Sequence, residues 1–372
     1  MTRYRDLGLT VGQLTPGPLN AITDVAGVKV GMTTLIAGDG PLVVGQGPIR
    51  TGVTVIVPHE GIADHPVFAG SHTLNGNGEM TGLEWVRESG QLTTPIAITN
   101  THSVGVVRDA LVASEVGRRD ARSSYWSLPV VAETYDGALN DINGMHVTPA
   151  HLHVALAAAA GGPVPEGNAG GGTGMICHEF KGGTGTASRL VKGWTVGALV
   201  QANHGDRERL MADGVPVGRA LGRDVVPSAW EEEEAIARAG AGSIIVVLAT
   251  DAPLLPHQLV RLAQRAGLGI ARAGGAGNHS SGDIFLAFST ANAERLHSYK
   301  LETPADAFDV TMLPDGAMTD LFWAAVEATE EAILNALIAA ETMVGRDGIT
   351  AHALPHGALV EIMTRYGRGP AS

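Results

Sequence analysis

Residues Ile244-Ile245-Val246-Val247-Leu248-Ala249-Thr250 form an unbroken apolar run, and a short run of this kind reads as a buried strand. Any fold this chain adopts has to enclose it. Gly242 and Ser243 stand directly in front of it. A serine hydroxyl at the start of such a strand can attack the carbonyl carbon before it, and a glycine leaves that carbonyl unshielded. The chain is therefore expected to be able to cut itself between Gly242 and Ser243. Ser243 would then carry a nucleophile and a free amine in one residue. An α-amine titrates at roughly 7.7–8.0, which makes it a usable general base near neutral pH. Residues 1–242 and 243–372 would be two subunits of one hydrolase, an α and a β piece of a single domain spanning 1–372. Taken alone the dipeptide is a weak signal, because strand-leading serines commonly cap or turn.

The rest of the chain supplies layers to surround that strand. Short apolar segments, Val28 with Val30, Gly52–Val57 and Pro95–Thr99, are separated by Gly, Pro and Asn turns and read as strands. Thr148 and Pro149 look like an N-cap with proline at the first helical position. Leu255, Leu259, Leu262, Ala263, Ala266 and Ile270 recur at helical spacing. A further helix is expected from about Thr319, with Phe322, Val326, Ile333 and Leu337 on its apolar stripe and Glu327, Glu330 and Glu331 away from it. This mixture predicts an α/β fold with helices layered on sheet. The stretch from His204 to Ala241 is polar and broken by Gly and Pro, and reads as a solvated loop with a short charged helix at Trp230–Glu234.

Composition narrows the function classes. A net charge of −13 argues against a nucleic-acid or anionic-membrane surface, which needs clustered Lys and Arg. No run reaches the roughly 18 apolar residues of a transmembrane helix, and the polar start Met1–Asp6 shows no secretory signal, so a cytoplasmic location is expected. The one cysteine, Cys177, forms no disulfide within the chain and no multi-cysteine zinc cluster. His151 and His153 are two apart on an expected helix and point away from each other. None of the 14 histidines shows HExxH-type spacing. No metal and no cofactor are expected. The patch Gly170-Gly171-Gly172-Thr173-Gly174 lacks the GK[ST] ending of a phosphate loop and reads as close backbone packing.

Several separated segments in order resemble one family. These are Gly242–Leu255, Ser281–Asn292 and Phe180–Arg189, with Ile22–Val25, Thr101–Gly105 and Ala340–Met343 extending the match over nearly the whole chain. They are similar to the self-processing aminopeptidases of the L-aminopeptidase/D-esterase and β-aminopeptidase family. That resemblance implies a four-layer α/β/β/α sandwich of N-terminal-nucleophile-like architecture, cut before the serine. It implies that Ser243 forms the acyl-enzyme and that Ser281 and Asp283 support it by relaying a proton and stabilising an ammonium. It places an oxyanion donor at Asn203 and the acidic acceptor of the substrate's amino group at Glu133, with Tyr135 lining the same pocket or simply packed. Asp283 stands where some relatives carry glutamate, so its shorter reach leaves the geometry of the pair to be determined. The implied substrates are small peptides, amides or esters with a free amino group, and the implied assembly is a homo-oligomer of αβ units. Two other readings stay open at this level: an acyltransferase like ornithine acetyltransferase, although that group uses threonine at the new N-terminus, and an intact, non-enzymatic glycine-rich binding protein.

Overall fold

A computed structural model describes residues 1–120, 122, 124–230, 242–298, 307 and 309–370. In chain order its principal strands are β1 (Lys29–Ala37), β2 (Ile49–Val57), β3 (Val67–Gly76), β4 (Gln91–Leu92), β5 (Ile96–Asn100) and β6 (Val130–Thr134). A short hairpin follows, β7 (Ile176–Cys177) and β8 (Phe180–Lys181), then β9 (Gly183–Val191), β10 (Trp194–Asn203), β11 (Ser243–Thr250) and β12 (Gly282–Ser289). They form one sheet of order β1-β2-β5-β6 and a larger one of order β4-β3-β12-β11-β10-β9. In the larger sheet β11 and β12 run parallel, while β10 and β3 flank them antiparallel.

The alternation of side chains along β11 explains its unbroken apolar run. Ile244, Val246 and Leu248 face one way, into a core shared with Leu259, Leu262, Ile333 and Leu337. Ile245, Val247 and Ala249 face the other way, toward Ile56, Ile96, Ile98 and Val130 of the smaller sheet. A strand buried on both faces has no polar position to spare. The smaller sheet in turn turns Val53, Val55, Ala97 and Val131 outward onto Val107, Leu111 and Leu152. The helices that close these outer cores are α1 (Val104–Val116), α2 (Pro149–Ala157), α3 (Pro256–Arg272) and α4 (Met318–Ile338), with α5 (His356–Arg365) added beside the second pair. The result is the expected α/β/β/α order. The glycine patch packs backbone against backbone: a Cβ on Gly171 would stand 2.7 Å from Ile98 O, and one on Gly172 2.2 Å from Thr184 N.

Two expectations need correction. Glu327, Glu330 and Glu331 are buried, although they lie off the apolar stripe of α4. The cause is a buried cation on the adjacent strand. Arg189 places Nη2 2.7 Å from Glu331 Oε2 and Nε 3.1 Å from Glu327 Oε2, Arg5 adds Nε 2.8 Å from Glu331 Oε1, and Arg272 pairs with Glu330. Burial alone would raise the Glu331 pKa, yet Arg189 and Arg5 hold it below its ordinary value. Arg189→Met leaves Glu327 without a cation and Glu331 with Arg5 alone, and is expected to cost about 3 kcal/mol, read as a lower midpoint in urea. The second correction concerns the stretch after β10. Arg207, Leu210, Val217 and Leu221 are buried there, so residues 204–221 are no solvated loop. Arg207 spends its donors on the carbonyls of Val226 (2.7 Å), Glu179 (2.9 Å) and Leu221 (3.1 Å), and its guanidinium lies 3.7 Å from the centroid of the Phe180 ring. A cation so satisfied can enter a core. The charged helix expected at 230–234 lies, from residue 231 on, outside the described residues.

Candidate active site

Strand register gathers Asn203, Ser243 and Gly282 at one end of three inner strands of the larger sheet. Asn203, the last residue of β10, is opposite Ser243, and Ser243 is opposite Gly282, the first residue of β12. Ser243 is 6% exposed and its Oγ accepts the N–H of Gly282 at 3.1 Å. Gly242 sits at φ +129°, and a Cβ there would meet Asn203 O at 2.0 Å. Glycine is thus required by the backbone as well as by the exposed carbonyl. Gly242→Ala is expected to slow any cleavage at this bond at least tenfold, measured as the fraction of intact chain over time, because the new methyl displaces the β10 carbonyl beside the nucleophile.

The Asn203 amide is fixed at both ends. Its Oδ1 accepts from Ile176 N at 2.8 Å, and its Nδ2 donates to Tyr135 O at 3.0 Å. That leaves the second Nδ2 hydrogen uncommitted by these bonds, as an oxyanion donor requires. Tyr135 therefore contributes its carbonyl to the site. Its ring is 47% exposed and lines a cavity of about 820 Å³ with Arg223, Trp230 and Arg346.

Ser281 and Asp283 form a tight pair, Ser281 Oγ donating to Asp283 Oδ1 at 2.6 Å. Burial raises the Asp283 pKa, opposed by that hydroxyl and by the Ile244 backbone. The second oxygen, Oδ2, is buried and has no hydrogen-bond partner among the described residues. Along β12, Ile284 and Leu286 point between the sheets while Phe285 and Ala287 point to the helices. Asp283 thus shares the helix face and Ser243 the inter-sheet face. The pair opens onto a cavity of about 810 Å³ lined by His204, Ile270, Gly274 and Asn278. Ser281 and Asp283 arrive at the right strand end, but the Ser243 hydroxyl bonds to backbone and makes no direct hydrogen bond to Ser281 among the described residues.

Glu133, the fourth residue of β6, is buried. Oε1 accepts from Glu79 N at 2.9 Å and Oε2 from the Thr101 hydroxyl. Desolvation raises its pKa against these two donors. Both partners are neutral, so among the described residues the anion has no permanent counter-ion in hydrogen-bond contact. A Cβ on Gly78 would stand 3.0 Å from Gly282 Cα and 3.3 Å from Glu133 Oε1, so Gly78 lies between the carboxylate and the start of β12 with no room for a methyl. Thr101 lies in a segment conspicuous in the sequence, but its grip on Glu133 was not readable there. The backbone donors of Glu79 and Ile176 carry no residue signature at all. Of the two histidines on α2, His151 accepts the Thr148 N–H as a helix cap at 3.0 Å.

The sequence matches the model of peptidase family S58 over residues 20–351. It is 52% identical to the beta-peptidyl aminopeptidase BapA of Sphingosinicella microcystinivorans, covering 98% of this chain and 93% of that protein. Among solved structures it resembles a Burkholderia sp. beta-aminopeptidase with a TM-score of 0.90 and 54% identity, over 98% of this chain and 99% of that one. It also resembles the L-aminopeptidase D-Ala-esterase/amidase of Ochrobactrum anthropi, described as a variant of the Ntn hydrolase fold, with a TM-score of 0.89 and 48% identity over 100% of both chains.

Proposed function

This chain belongs to peptidase family S58 and is an aminopeptidase that hydrolyses N-terminal residues; on that premise we propose that it first cuts itself before Ser243 and then works through an acyl-enzyme on that residue. The reading is carried by the meeting of Ser243, Asn203 and Gly282 across three adjacent strand ends, beside a buried carboxylate paired only with neutral donors. In it, Ser243 Oγ attacks the substrate carbonyl and its proton passes to the freed α-amine of the same residue. Asn203 Nδ2 and backbone N–H groups hold the oxyanion. The proton then leaves with the departing amine, and water hydrolyses the acyl-enzyme.

Because Asp283 lies on the face opposite the Ser243 hydroxyl, the Ser281–Asp283 pair serves the new amine, holding and stabilising its ammonium form, in place of a direct hydroxyl-to-hydroxyl relay. Asp283→Asn is expected to lower kcat on the order of 10². It should also change the acid limb of the pH profile. Burial raises the pKa of Asp283 and of Glu133, and both act as anions, so activity falls as pH drops through values above the ordinary carboxylate range. A profile of kcat/KM that stays flat down to the usual aspartate range would contradict both assignments.

Glu133 receives the substrate ammonium, and β-aminoacyl peptides, amides and esters are the proposed substrates, in keeping with the relatives named for them. Assembly into a homo-oligomer of αβ units and a cytoplasmic site of action belong to the same reading. The deciding experiment is intact-mass analysis of the purified protein, followed by assay of matched α- and β-aminoacyl p-nitroanilides. Pieces 1–242 and 243–372 with activity support the mechanism. A fully active protein that remains a single chain refutes it.

A further inference from the structure

The turn between β7 and β8 places His178 and Glu179 at φ +49° and +62°, which brings the side chains of Cys177 and His178 against His204, the residue that follows Asn203. One nitrogen from each imidazole and the cysteine sulfur all lie within 4.8 Å of one another. All three residues are buried. Cys177 Sγ is 3.8 Å from His204 Nδ1, and the two rings meet edge to face at 5.2 Å. His178 Nδ1 lies 2.9 Å from Asp206 O, a contact that needs the proton on Nδ1 and leaves Nε2 as a bare lone pair. Nε2 of His178 is buried and has no hydrogen-bond partner among the described residues, while His204 offers Nδ1, the nitrogen beside Cys177 Sγ. Unpaired buried polar atoms are costly and need an explanation. A backbone carbonyl that fixes the tautomer of a histidine is the usual support of a metal ligand.

We propose that Cys177, His178 and His204 form a three-coordinate binding site for a soft monovalent transition-metal ion, copper(I). Geometry admits a first-row metal ion and charge selects among them. Bond lengths of the size found at zinc, about 2.3 Å to sulfur and about 2.0 Å to nitrogen, set those two donors about 3.7 Å apart at a trigonal angle, and closer at a tetrahedral one. One thiolate and two neutral imidazoles carry a single negative charge, so a monovalent ion leaves the buried site neutral. A divalent ion would leave a net positive charge near Lys181, whose buried ammonium donates to the carbonyls of Met175 and Gly182 at 2.8 Å each. Soft thiolate donors favour copper(I) in any case. On binding, the Cys177 thiol gives up its proton to solvent and the sulfur–metal bond forms, with no change of oxidation state. The cavity lined by His204, Gly205 and Asp206 supplies the route in.

The site is joined to the catalytic machinery through the backbone. His204 follows Asn203, and Ile176 N, the donor to Asn203 Oδ1, precedes Cys177. An ion that draws the three side chains together tugs both segments that aim the Asn203 amide, so occupancy is expected to lower kcat with little change in KM. The test is anaerobic competition for copper(I) against a coloured chelator, on the full-length protein. Wild type should withdraw one equivalent and lose turnover in proportion. Cys177→Ser should bind at least tenfold more weakly and keep turnover when copper is added, with its metal-free activity and its pattern of chain pieces unchanged as evidence that it folds. His178→Gln, which removes the free nitrogen but not the thiol, should weaken uptake likewise. No withdrawal by wild type, equal withdrawal by both variants, or uptake of zinc(II) without copper(I) would each overturn the assignment.

Discussion

Ser243→Ala is expected to abolish turnover by at least about four orders of magnitude and to leave the protein as one uncut chain. In the proposed mechanism one hydroxyl serves two reactions, so the two readouts move together. In the first it attacks the Gly242 carbonyl, and in the second the substrate carbonyl, with the amine released by the first acting as base for the second. The residue is already positioned by the fold, with Oγ on the Gly282 N–H at 3.1 Å and Asn203 opposite it in register. Alanine fits the same small volume, so stability should change little. Ser243→Cys separates the steps: a thiol is a competent nucleophile for an N-to-S shift, so partial cutting is expected while peptide turnover falls. Ser243→Ala protein found cut at the same bond would show that the chain is not its own protease.

Glu133→Gln is expected to lower kcat/KM for substrates with a free amino group by about 10²–10³, the size of about 3–4 kcal/mol. A buried carboxylate facing an ammonium makes a charge-assisted contact that a neutral amide does not replace. Most of the loss should appear in KM, because the ammonium is held in the ground state and in the transition state alike. The glutamine still offers an oxygen to Glu79 N, so the local fold should persist. Removing a carboxylate whose pKa is raised by burial should also take its share out of the acid limb, which Asp283 and the Ser243 amine still impose. If N-acylated and free-amine substrates are affected equally, Glu133 does not read the amino group.

What could be read in advance divides along a physical line. Strand β11, the helices over 256–272 and 149–157 and the layering of helix on sheet follow from local patterns, and these survive into the structure because burial on one or two faces writes directly onto neighbouring residues; the four-layer order came from the family resemblance alone. Ser243, Ser281 and Asp283 were legible from segments that resemble a family, but their facing was not. The opposed sides of Ser243 and Asp283 emerge only once β11 and β12 are paired in register. The acidic face of α4 was misread because its partner, Arg189, is distant in sequence and a cation on β9 is invisible to helical periodicity. The same holds for Cys177, His178 and His204. No spacing rule joins a cysteine in a tight hairpin to the residue just past a strand end, and only the tertiary fold does.

The strand order of the larger sheet has a consequence for the history of the molecule. β11 and β12 lie between β3 and β10, so a cut before Ser243 leaves the two middle strands on one polypeptide and both of their neighbours on the other. Before the cut, collapse is a first-order event whose rate ignores protein concentration. Afterwards the same native contacts can be regained only when two separate molecules collide, and each brings an exposed sheet edge that can pair wrongly with its own kind. Heating and cooling the cut enzyme should therefore give recovery that depends on dilution, or aggregation, where the Ser243→Ala chain refolds at any concentration. The protein would be made once, in one piece, and thereafter persist by slow unfolding instead of by return.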